Sequence, residues 1–191
     1  MGYNVQAYAV DLEKLRGLVG SNDEALIGAI CDKYDRELSG IDDIDGTEPS
    51  ARAAVAALIQ ARMDDGEVNF KYGYALELAC RELGQWLPNQ HWSAMHGEWF
   101  DSVDDAFADL GGKSKLCSDV FWSGPPVDLP FIDDFPAIGT VPADRVAPLL
   151  GELEAALAKA RPSQETSSLR ELCEWLRVAQ REGGGVVTFY Y

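Results

Sequence analysis

Over residues 70–80 the sequence Phe-Lys-Tyr-Gly-Tyr-Ala-Leu-Glu-Leu-Ala-Cys puts apolar side chains nearly all the way round a helix. A surface helix keeps a broad polar face, so a helix without one must be covered by other elements on most sides. At 191 residues the chain can build one sizeable core around this segment but is short for two. Glu77, Arg81 and Gln85 fall at i, i+4 spacing and form the narrow polar stripe left to solvent. Gly73, in the first turn, predicts close backbone approach by a neighbour.

Residues 3–10 and 186–191 are rich in Tyr, Val and Phe and read as strands. Neither is stable alone, so the two are expected to pair in one sheet. Between them the pattern is mainly helical. Asp11 caps a helix carrying Leu12, Leu15 and Leu18, and residues 21–24 form a capping box for the next. Residues 39–48 read as an acidic, glycine-containing loop, followed by a helix running to about Met63. Ser102 is expected to cap a further helix, Ile138 and Val141 to sit on a short strand, and Pro142 to start a helix. Leu169, Leu172, Cys173 and Leu176 mark a last helix, with residues 183–185 as a flexible turn after it. The fold class is α+β: a mostly helical single domain over residues 1–191 with a small sheet joining the N- and C-terminal strands.

Charge narrows the partners. The chain has 32 Asp and Glu against 16 Lys and Arg, a net charge of −16. Residues 98–144 hold ten acids and two lysines, and clustered charge of one sign steers partners of the other. Nucleic acid is excluded as a partner, because a duplex binder needs a basic stripe and Lys113-Ser114-Lys115 offers two charges amid acids. No apolar run is long enough to span a bilayer, and the start lacks the pattern of a signal peptide, so the expected location is the cytoplasm. Cys31, Cys80, Cys117 and Cys173 stand far apart with no CxxC pair and read as buried free thiols.

No nucleotide-binding, nucleophile-elbow or zinc-protease motif is present. Asp43-Ile44-Asp45-Gly46-Thr47 resembles the nucleophile loop of haloacid-dehalogenase-type phosphotransferases, but that chemistry needs the motif at the end of a buried strand, which residues 38–42 do not supply. His91 and His96 lie about 140° apart on a helix and cannot share a metal there; no metal or cofactor is expected. With Trp92 and Trp99 these histidines form an aromatic stretch that suits a small-ligand pocket. Asp133 and Asp134, beside Phe131, Ile132 and Phe135 in a proline-rich loop, suit a binding edge.

The opening Tyr-x-Val-x-Ala-Tyr-Ala-Val-Asp-Leu, the Phe-Lys-Tyr-Gly-Tyr-Ala-Leu-Glu-Leu block from Phe70 to Leu78, Phe135-Pro136-x-Ile138-Gly139 and the ending Gly-Val-Val-Thr-Phe-Tyr-Tyr together resemble an uncharacterised bacterial family. The order of N-terminal strand, Ile-Gly turn, proline-started helix and C-terminal strand is also similar to YfbM-like proteins. Both resemblances imply a fold and carry no functional residue.

The expected function is a non-enzymatic, acidic binding protein acting on a basic protein partner, an immunity or antitoxin role being one version. Its docking face would be Asp104, Asp105, Asp133 and Asp134. The alternatives are a small metal-dependent hydrolase, using His91, His96 and Glu98 or the acids of residues 42–45, and a small-ligand-binding protein with a pocket at His91, Trp92, His96 and Trp99. Oligomeric state is left open by the sequence.

Overall fold

A computed structural model describes residues 2–66 and 69–191. Four strands, β1 (Val5–Val10), β2 (Gln85–Leu87), β3 (Ala137–Val141) and β4 (Gly185–Tyr190), form one antiparallel sheet in the order β2-β1-β4-β3. The two terminal strands are its inner pair, with Tyr8 opposite Val187, and β4 also pairs β3 through Val187 opposite Thr140. The expected pairing of the chain ends is therefore the centre of the sheet.

Both faces of this sheet are covered. Val5, Ala7, Ala9 and Val186 enter one core with α6 (Trp99–Asp109), α7 (Leu116–Phe121), α8 (Ala143–Leu157) and α9 (Gln164–Glu182). Tyr8, Val10, Val187 and Phe189 enter the other, with α1 (Leu12–Leu18), α2 (Glu24–Lys33), α3 (Asp35–Ile44), α4 (Ala51–Gln60) and α5 (Phe70–Leu83). Alternate residues of β1 and β4 thus face different cores, and this is why the end strands read as nearly continuous apolar runs. The architecture is α+β, with a small sheet between two helical layers.

The buried helix is α5, in which Tyr72, Ala75, Leu76, Leu78, Ala79 and Cys80 are all buried. Gly73 behaves as its sequence implies: a Cβ there would stand 2.9 Å from Pro136 Cγ and 3.0 Å from Ile132 Cδ1, so the proline-rich loop lies directly on the helix. All four cysteines are free and buried.

Local expectations fail where tertiary contacts override sequence. Residues 39–44 are the end of α3 rather than a loop, with Leu38 and Ile41 packed into the core. The second helix is capped by Asp23, whose carboxylate accepts from Leu26 N at 3.0 Å, while Ser21 Oγ accepts from Asp23 N. The sixth begins at Trp99 after Glu98, not at Ser102, whose hydroxyl instead donates to Glu98 O. Strand β2 and helix α7 have no counterpart in the sequence reading. The glycine triplet is not a flexible turn. Gly183 ends α9 at φ +69°, and a Cβ on Gly184 or Gly185 would lie 2.4 Å from Val10 O or 2.5 Å from Val141 O, so the glycines let the strands close on one another.

Candidate functional site

The four acids of the expected docking face differ in exposure. Asp105, Asp133 and Asp134 are exposed, but Asp104 is half-buried and accepts a hydrogen bond from Cys117 N at 2.9 Å, anchoring the start of α7. Asp104 and Asp105 ride on α6, which packs into one core; Ile132, beside Asp133, packs against the other.

The aromatic stretch also divides. Trp92 is wholly buried among the rings of Phe100, Phe121 and Trp175, the nearest with its centroid 4.8 Å away. His91 and His96 are exposed and, with Trp99 and residues of the 162–167 segment, line a shallow cavity of about 720 Å³. Glu171 holds the adjoining loop by accepting from Gln90 N at 2.8 Å and His91 N at 2.7 Å. Among the described residues, no group of three or more His, Cys, Asp and Glu side chains is placed to hold a metal ion. Asp43 lies in the last turn of α3 and Asp45 just beyond it, where Asp45 accepts from Thr47 N at 2.8 Å; no strand presents them as a phosphotransferase would.

Two charged residues of α5 matter more than the sequence suggests. Lys71 is fully buried, and its ammonium donates to Asp42 Oδ1 at 3.0 Å, Thr47 O at 2.7 Å and Pro49 O at 3.0 Å. All three donors are used, so this lysine ties the α3–α4 connection down onto the central helix.

The other is Glu77, at the floor of a cleft of about 640 Å³. It does not lie on a solvent-facing polar stripe: the side chain is buried, 8% exposed. Tyr8, from the inner strand, donates its hydroxyl to Oε1 at 2.7 Å, and Tyr191, just past β4, donates to Oε2. The register of the two inner strands brings these tyrosines, from opposite ends of the chain, to one carboxylate. Tyr74 stacks on Tyr191 with ring centroids 5.7 Å apart. The far wall is α3, through Glu37, Ile41 and Ile44. One turn along α5, Arg81 pairs with Glu37 and lies over the Tyr34 ring, 4.6 Å from its centroid. The rim carries two large exposed apolar side chains, Trp86 of β2 and Ile44.

The electrostatics follow from this placement. Burial raises the Glu77 carboxyl, and the charge of Glu37 adds to it; the Tyr8 hydrogen bond and the Arg81 charge pull the other way, leaving it at about 7. Burial likewise pushes Tyr8 and Tyr74 upward, reinforced in both by the charge of Glu77. Near neutral pH the cleft floor is thus an acid between its two charge states, in contact with two hydroxyls. A carboxyl perturbed by burial, lying in a cleft with convergent polar groups, marks a candidate functional site. The sequence carried one signal for it: an acid flanked by Leu76 and Leu78 in a helix apolar nearly all the way round.

A sheet held between two helical layers, with a cleft bounded by α3, α5 and the β1–β2 side of the sheet, defines the structural class. The chain belongs to the family DUF7691, a domain of unknown function, whose family model matches residues 1–191. No curated protein and no solved structure matches it. Among the described residues no helix is long and apolar enough to cross a membrane.

Proposed function

We propose that this chain is a non-enzymatic binding protein for a basic protein partner, and that the cleft over Glu77 receives a cationic side chain of that partner. An immunity or antitoxin role in a bacterial cytoplasm is one concrete form of it, and kinship with YfbM-like proteins belongs to the same proposal. The observation that carries the reading is a buried carboxyl, held by two tyrosine hydroxyls, under an open cleft rimmed by exposed Trp86 and Ile44. Aromatic anchors beside a desolvated charge are where protein interfaces concentrate their binding energy. The net charge of −16, with Asp105, Asp133 and Asp134 exposed, supplies long-range attraction. The volume of the cleft also suits a free small molecule, a second reading.

The test is co-purification from the native host followed by binding kinetics at two ionic strengths. Glu77→Gln and Trp86→Ala should each speed dissociation about tenfold or more, whereas reversing Asp105, Asp133 and Asp134 to Lys should mainly slow association. Binding that is indifferent to Glu77→Gln, or equally fast at high salt, overturns the reading.

A further inference from the structure

We infer that the cleft is selective for a primary ammonium, presented by a lysine side chain of the basic partner, over a guanidinium; the inference rests on the binding role proposed above. The cleft already contains one guanidinium of its own. Arg81 occupies the ring face of Tyr34 and is paired with Glu37, so the stacked, carboxylate-facing place that a planar cation seeks is filled from within. What remains is Glu77, buried at the cleft floor. Each of its oxygens accepts one hydroxyl, from Tyr8 and from Tyr191, and each keeps a further lone pair. That arrangement suits a compact point charge with several donors, and Tyr74, Tyr191 and Trp86 give the same cleft an aromatic lining that favours a cation.

The ammonium and the proton compete for Glu77. The groups around it are Tyr8 from β1, Glu37 from α3, Tyr34 between α2 and α3, Tyr74, Cys80 and Arg81 from α5, and Tyr191 after β4. Burial holds Glu77 near neutrality, and Arg81, the cation among these groups, is engaged by Glu37. An entering ammonium therefore favours the ionised form and expels a proton where Glu77 was protonated. Affinity should fall as pH drops through about 7.

The experiment titrates the full chain with Nα-acetyl-lysine methylamide, Nα-acetyl-arginine methylamide and n-butylammonium, followed by NMR of the Trp86 indole N–H and the Tyr191 ring. The expected result is a saturable shift with the lysine derivative at millimolar concentration, at least tenfold weaker binding of the arginine derivative, and loss of the shift in Glu77→Gln. Lysine affinity should also drop several-fold from pH 8 to pH 6. Equal or better binding of the arginine derivative overturns the inference, as does a lysine shift that survives Glu77→Gln. Butylammonium binding tenfold tighter than the lysine derivative overturns the protein source and favours a free amine. If the lysine derivative is silent while Glu77→Gln still weakens the natural partner, the ammonium assignment fails and the binding role stands. If neither responds, both fall.

Discussion

Removal of residues 186–191 is expected to abolish the folded state. Strand β4 lies inside the sheet, paired on both sides, so its loss separates β3 from β1 instead of trimming an edge. Val186, Val187 and Phe189 are each essentially inaccessible to solvent, and they reach into both cores. At about 1.5–3 kcal/mol for each large apolar side chain, the burial lost is comparable to the whole stability of a domain, roughly 5–15 kcal/mol. Thr188 Oγ1 also donates to Val120 O at 2.7 Å, so α7 loses its tie to the sheet. Circular dichroism and gel filtration of the truncated chain are the check. A truncated protein that still melts cooperatively at the full-length temperature would contradict the topology.

Lys71→Ala should cost about 2–4 kcal/mol, because it removes a wholly buried ammonium and strands two carbonyl acceptors, while Asp42 keeps a third of its side chain in solvent. The substitution leaves Thr47 O and Pro49 O without their donor and removes the counter-charge of Asp42, which also accepts from Ala51 N at the start of α4. Urea denaturation measures the change. A loss below about 1 kcal/mol, the level of an exposed ion pair, would show that the ammonium is not the clamp described here. The effect reaches the cleft, because the segment Lys71 secures follows directly from the α3 wall that carries Glu37, Ile41 and Ile44.

Much of this fold is written in hydrophobic pattern. The terminal strands, β3 and the all-round apolar character of α5 follow from residue type and spacing, because coverage on both faces leaves few polar positions to confuse the period. Three-residue β2 is too short to show a period, and two of its residues, Gln85 and Trp86, are exposed. Helix α3 reads as loop because Ser39, Gly40, Asp42 and Asp43 favour one; packing of Leu38 and Ile41 and the Lys71 clamp override that preference. The site was hidden for a different reason. Glu77 and Arg81 at i, i+4 spacing look like an exposed polar stripe, and nothing local says that Tyr8 and Tyr191, 69 and 114 residues away, close over the acid. Trp92, conspicuous in sequence, is spent on the core.

Glu77 is a carboxyl whose ionised form the fold holds at a cost, and the proposed binding role depends on that charge. Its folded pKa lies above the unfolded value, so its contribution to stability is fully present below about 4.5 and is lost as pH rises through about 7. The loss amounts to about 3 kcal/mol at alkaline pH. The direct measurement is a ¹³C NMR titration of the side-chain carboxyls between pH 4 and pH 9, with the Glu77 resonance assigned by its absence in Glu77→Gln. The account expects a midpoint near 7 for Glu77, well separated from the exposed acids. A midpoint at the ordinary glutamate value of 4.5 would mean that the cleft holds no such charge, and the proposed site would be contradicted.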